Sequence, residues 1–255
     1  MIIKQIKDIK YSNEEILKKR NTVRNSFIAK SKNVKTGNIQ RMSNEDLKIL
    51  FYLYDEVFFL NYFSTNLKET ITFSLSTRMT TAAGKTIYSR KIKPLQESEK
   101  TYEIRMGIKF FFQYYKVERD KIVSGIKTVD SLEAFQIVFE HELCHLMEFH
   151  LYNESSCKKH RFKTMVKNIF AHTEVHHQLP SQKEIISVDY GFKIGQKVFF
   201  VRENKKYSGF IYKINKRATV MVVDKSGTYK DGEGTKYSKW YVNFEQLVTQ
   251  NDYHD

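Results

Sequence analysis

Residues 131–152 read SLEAFQIVFEHELCHLMEFHLY, and inside that stretch His141-Glu142-Leu143-Cys144-His145 forms an H-E-x-x-H run. Leu132, Phe135, Phe139, Leu143, Leu146 and Phe149 recur at steps of three and four residues, and Asp130 followed by Glu133 offers a capping box. The spacing therefore predicts one helix with the run in its middle. Residues four apart on a helix share a face, so the two imidazoles can grip one metal ion while Glu142, one step round, reaches a water held there. Two neutral nitrogen donors and a carboxylate base are the minimum kit for hydrolysis assisted by one zinc ion. The competing account is a pair of structural histidines on an ordinary helix, a chance match that short motifs always risk. The mid-helix position and the intact glutamate favour the metal.

A hydrolytic zinc usually takes a third protein ligand and leaves its fourth position to water. Downstream donors are Glu148, His150, Glu154, His160, His172, His176 and His177. Glu148 and His150 stand three and five residues beyond His145, and helix geometry turns them progressively off the metal-facing side. His160 follows a break at Asn153-Glu154-Ser155-Ser156, so the chain can turn and bring it back; residues 161–170 then suggest a second helix packed on the first. Cys157, three residues before His160, is the alternative donor, because thiolate is a good zinc ligand. His172-Thr173-Glu174-Val175-His176-His177 is a second cluster with no glutamate after its first histidine. Its expected role is to orient ligands or close the pocket, not to hold a second metal.

These residues resemble the SprT-like metalloprotease domain, a family that includes the eukaryotic protease Spartan and pairs H-E-x-x-H with a third histidine one short loop later, ahead of a helix carrying a phenylalanine. On that pattern the resemblance implies His141, His145 and His160 as ligands of one Zn2+ and Glu142 as the catalytic base. Lys159 and Arg161 flank His160 where the family commonly has glycine. Upstream, Ser76-Thr77-Arg78-Met79-Thr80-Thr81-Ala82-Ala83-Gly84-Lys85 is similar to the family's hairpin before the active-site helix. Downstream, Ile169-Phe170-Ala171-His172-Thr173 and His177-Gln178-Leu179 look like bacterial members. The substrate class implied is protein attached to or crosslinked with DNA, which would place the chain in DNA repair. Tyr114, Tyr115 and Arg78 are the candidate donors to the oxyanion.

Around this centre the chain reads as α+β. Residues 1–42 carry 11 Lys or Arg against 3 acids with an irregular apolar pattern, which suits a solvated helix and loop or a nucleic-acid arm. From Ser43 a strong helix with Ile49, Leu50, Leu53, Val57 and Leu60 is too apolar for a single exposed stripe. Ile71, Phe73 and Leu75, then Tyr102, Ile104, Met106 and Ile108, alternate with polar residues as strands do. The expected domain is a peptidase core at 43–180 with the active-site helix on a small antiparallel sheet. A linker at 181–188 and a second domain at 189–255 follow. There glycines 191, 195, 209, 227, 232 and 234 punctuate runs at Val198–Val201, Gly209–Ile214, Ala218–Val223 and Lys239–Val242, the spacing of a small five-stranded barrel. Val198-Phe199-Phe200, Gly209-Phe210-Ile211 and Lys216-Arg217-Ala218-Thr219-Val220 resemble the SH3-like barrels appended to bacterial SprT-like proteins.

The chain carries a net charge of +14 and a pI near 9.5. Lysine and arginine in such excess give sequence-independent affinity for phosphates, so DNA or RNA is the expected partner. Lys205, Lys206, Lys216, Arg217, Lys236 and Lys239 intermingle with Tyr207, Tyr212, Tyr229, Tyr237, Trp240 and Tyr241, as a nucleic-acid platform would. No basic amphipathic helix offers a membrane contact, and no segment reads as a signal peptide or membrane span, since Asp55-Glu56 interrupt the most apolar stretch. Two cysteines cannot build a disulfide framework, and reduced thiols in a cytoplasmic protein are expected.

Overall fold

A computed structural model describes residues 6–89 and 95–249. Residues 1–5, 90–94 and 250–255 lie outside the described residues. The chain divides into two units, 1–179 and 180–255.

The first unit is built around the predicted helix, which we term α5 (Ser131–Tyr152). Asp130 caps its first turn by accepting from the Glu133 amide at 2.9 Å. The Glu133 carboxylate accepts from Val129 N instead of closing the box on Asp130. Asn153, at φ 55°, ends the helix in the left-handed region that asparagine tolerates. Before it in the chain come α1 (Asn13–Lys30), α2 (Asn44–Phe59), the short α3 (Tyr62–Asn66) and α4 (Lys109–Phe112). The strands are β1 (Thr70–Ser76), β2 (Gly84–Tyr88), β3 (Thr101–Gly107), β4 (Lys121–Val123) and β5 (Ile126–Thr128). After α5 comes α6 (His160–Phe170). Phe135, Phe139, Leu143 and Leu146 on α5 are fully buried against Leu50, Tyr54 and Phe58 of α2 and Ile104 and Met106 of β3 in one core.

Three expectations change here. The sheet beneath α5 is mixed: its order is β1-β3-β2, with β1 parallel and β2 antiparallel to β3. Residues 77–83 therefore form a crossover and not a hairpin, because β3 pairs between the strands they join. Within the basic segment 1–42, α1 is neither a solvated helix nor a free arm. Val23 and Phe27 of α1 are fully buried in the core, and Arg20 forms a bidentate pair with Glu140 on α5 at 2.8 Å for both bonds. Its apolar spacing looked irregular because a buried arginine occupies one of the inward positions.

In the second unit the expected linker is a helix, α7 (Gln182–Tyr190), with a complete Ser181/Glu184 capping box, and its Ile186 enters that unit's core. The strands are β6 (Lys197–Arg202), β7 (Lys205–Ile214), β8 (Ala218–Val223), β9 (Tyr229–Lys230), β10 (Lys236–Val242) and β11 (Val248–Thr249). They form a six-stranded sheet in the order β11-β6-β7-β8-β10-β9, and among the described residues it does not close into the expected five-stranded barrel. Closure needs the end strands to pair. Both end strands have two residues, too short for the alternation that revealed the others. No helix among the described residues is long and apolar enough to cross a membrane.

Candidate metal centre and cleft

His141 and His145 lie on one face of α5 with their Nε2 atoms 3.1 Å apart. Two nitrogens on one tetrahedral zinc, at ~2.05 Å each, would stand ~3.3 Å from one another, so the pair already has the separation a shared ion requires. Phe162 of α6 packs on both rings, with centroids 4.9 Å from His141 and 4.3 Å from His145, and fixes their planes from the side. Desolvation by burial lowers both histidines, His145 to about 4, and His141 is lowered further by its neighbours His145 and His172. Both are therefore neutral, with lone pairs free to bind a cation.

The structure does not bring His160 to this pair. It brings Cys157: His141, His145 and Cys157 offer donor atoms that all lie within 4.8 Å of one another. His160 is the first residue of α6, exposed, with Nε2 3.2 Å from Thr164 Oγ1 one turn on. The reason is helical phase. Phe162, Val166, Ile169 and Phe170 are the buried face of α6, and a residue two positions before Phe162 points to the opposite side.

Glu142 lines a cleft of about 250 Å³ together with His141, Gly84, Ser124, His176 and His177. Burial pushes its carboxyl up to about 7, against the pull of Thr86. Thr86 Oγ1 lies 2.8 Å from Glu142 Oε2, to which it can donate, and 3.0 Å from the Glu142 carbonyl oxygen. Strand β2 thus holds the Glu142 carboxylate by a hydroxyl that no sequence pattern announced. Gly84, at the start of the same strand, lies so close that an added Cβ would stand 2.7 Å from Glu142 Oε1 and 2.8 Å from Val138 Cγ1. Gly84→Ala is expected to swing the Glu142 carboxylate off its place, and a crystal structure of the variant with that carboxylate unmoved would show that the glycine does not set it.

The second histidine cluster separates into three roles. His172 is fully buried with Nε2 2.9 Å from Glu140 Oε2 of α5. His176 pairs with Glu174 at 3.0 Å near the cleft mouth. His177 bonds to the Thr81 backbone, accepts from Leu179 N at 3.3 Å on Nδ1, and packs on Phe110. Ser124 N donates to His176 O at 2.9 Å and Gln178 N to Ile122 O at 2.7 Å, so β4 holds this segment along the cleft through an isolated antiparallel bridge between Val123 and His177. Tyr114, Tyr115 and Arg78 lie outside the cleft lining, and the Tyr114 hydroxyl is spent on Thr128.

The sequence model of the SprT-like family matches residues 48–181. The chain belongs to the SprT-like family. No curated protein and no solved structure matches it. The SprT-like match runs from within α2 to just past the end of the first unit and includes His141, Glu142, His145, Cys157 and Thr86. It begins beyond α1, although α1 supplies Arg20 and Phe27 to the same core. A metalloprotease-type domain is what this membership supports.

In the second unit the six predicted nucleic-acid residues are not gathered in one place. Lys205 and Lys206 open β7, Lys216 and Arg217 lie in the turn beyond its far end, and Lys236 and Lys239 lie on β10. Tyr207 and Trp240 pack against the interior. Tyr212, Tyr229 and Tyr241 are exposed, and Lys239 Nζ sits 3.8 Å from the Tyr229 ring centre.

Proposed function

We propose that this SprT-like chain is a zinc-dependent endopeptidase acting on proteins bound to nucleic acid. The observation that carries the peptidase assignment is Glu142, a buried carboxylate on the cleft wall beside two converging neutral imidazoles. A purely structural metal site needs no base there, which weighs against a non-catalytic adaptor. The donor set fits zinc: His141 and His145 would hold it. Zinc bound there would lower the pKa of a water toward ~7 and polarise the scissile carbonyl.

The chain's own part is proton handling and positioning. Glu142 takes the proton of the attacking water and returns it to the departing amine. Thr86 holds Oε2, and Oε1 lies beside Gly84, which lines the same cleft. The β4–β5 hairpin and the 173–178 segment form the opposite wall, against which a peptide would lie. Incubation with a strong chelator is expected to abolish hydrolysis of an unstructured protein substrate, and stoichiometric zinc to restore it. Undiminished cleavage by metal-free protein would refute the metallopeptidase.

For the nucleic-acid partner, support comes from the charge of +14 and from Tyr212, Tyr229 and Tyr241 around Lys239, an arrangement on which single-stranded bases can stack above a phosphate-binding cation. Binding should weaken steeply with salt, and Tyr241→Ala should reduce affinity by roughly 5- to 100-fold. Charge reversal at Lys216 and Arg217 should weaken binding across sequences while zinc content stays constant. A salt-independent affinity, or cleavage that nucleic acid does not stimulate, would leave a general peptidase.

A further inference from the structure

His145 Nδ1 lies 2.7 Å from Ser155 Oγ, and that hydroxyl donates to Glu148 Oε2 at 2.7 Å. With its one proton spent on the carboxylate, Ser155 must accept from Nδ1–H. That fixes the tautomer of His145 with a bare Nε2 directed at His141 Nε2. Glu148, fully buried one turn after His145, also accepts from Ser156 N at 3.1 Å and from Arg161 Nε at 2.7 Å. One carboxylate therefore grips two consecutive residues of the loop between α5 and α6 and the first turn of α6. The next residue in that loop is Cys157.

We infer that Cys157, as a thiolate, is the third protein ligand, so that the centre is of the His₂Cys type and not the three-histidine type the family resemblance implied. This rests on the metallopeptidase reading above. Among the described residues no other donor joins the converging group. Both Glu148 oxygens accept hydrogen bonds, His172 directs its Nε2 at Glu140, and the exposed His160 has its Nε2 3.2 Å from Thr164 Oγ1. Cys144, between the two histidines in sequence, is fully buried in the core, where burial raises its thiol well above the ordinary range. Cys157 is partly exposed on the metal side. Binding is balanced by loss of the thiol proton: the S–H bond breaks, a sulfur–metal bond forms and one H⁺ is released. A thiolate leaves the three-ligand centre with net charge +1 where three imidazoles would leave +2, and favours zinc over hard cations such as Mg²⁺.

The test uses the full chain loaded with Co²⁺. A near-ultraviolet thiolate-to-cobalt charge-transfer band is expected beside the visible d–d bands. C157A should lose that band and bind metal at least about 10-fold more weakly, C157H should keep the visible bands alone, and H160A should match the wild type. As a check that needs no variant, zinc should slow iodoacetamide alkylation of Cys157 in the wild-type chain, read on the Cys157 peptide by mass spectrometry. Visible bands with no charge-transfer band, and alkylation unaffected by zinc, would overturn the ligand assignment and leave the metallopeptidase standing. A wild-type chain that binds neither cobalt nor zinc would overturn both.

Discussion

Glu142→Gln is expected to reduce peptide hydrolysis by roughly 10² to 10⁴ while zinc content stays at the wild-type level. The two side chains have the same shape. Glutamine fills the same space against Gly84 and Val138 and can still accept from Thr86, so the cleft wall keeps its geometry. What it lacks is a site to take a proton from water. Glu142→Ala is a poorer probe, because it leaves the Thr86 hydroxyl facing an empty space and changes both shape and chemistry. Zinc should persist because Glu142 does not belong to the converging donor group, which is His141, His145 and Cys157. His141→Ala and His145→Ala should lose zinc as well as activity. If Glu142→Gln cleaved at the wild-type rate with its metal bound, the general-base mechanism would be wrong.

What could be read in the sequence follows the range of the interactions. The H-E-x-x-H face was legible because helix geometry converts a spacing of four into a shared direction, with no help from the rest of the fold. Asn153 as the helix end was legible for the same local reason. The third donor was not, because it lies across a loop whose course is decided by Glu148 gripping Ser155 and Ser156. Counting residues could offer Cys157 and His160 but could not choose between them; the phase of α6, set by Phe162, does. Thr86 and Gly84 meet Glu142 across 56 and 58 residues of chain, from an edge strand whose neighbour is β3. Alternation identifies β1 and β3 as strands and is silent on their parallel pairing. The short end strands of the second unit carry too few residues for any periodicity, so an open six-stranded sheet reads as five strands.

A buried ion pair of still longer range carries the largest stability effect. Arg20 on α1 and Glu140 on α5 stand 120 residues apart, with side chains 7% and 0% exposed. Glu140 also accepts from Tyr54 at 2.8 Å and meets His172 at 2.9 Å, while Arg20 Nη2 reaches the Phe170 carbonyl at 3.0 Å. The cluster thus ties α1, α2, α5 and the end of α6 together directly beneath His141. Arg20→Ala would strand a buried carboxylate without its cation and leave the Phe170 carbonyl unmet. A cost of about 3–5 kcal/mol is expected, a fall in Tm of roughly 6–20 °C for a unit of this size. Glu140 can limit the loss by taking a proton, which places the cost nearer the lower figure as pH falls. Arg20→Lys should recover only part, because an ammonium cannot make the two parallel bonds of the guanidinium. Arg24→Ala is the control. Its pair with Asp130 is also bidentate but more exposed, at 21% and 15%, and should cost about 1 kcal/mol. Thermal unfolding of the three variants distinguishes the cases. Were Arg20→Ala to melt within about 2 °C of the wild type, this pair would not be what binds α1 into the core, and the buried Val23 and Phe27 would have to hold it alone.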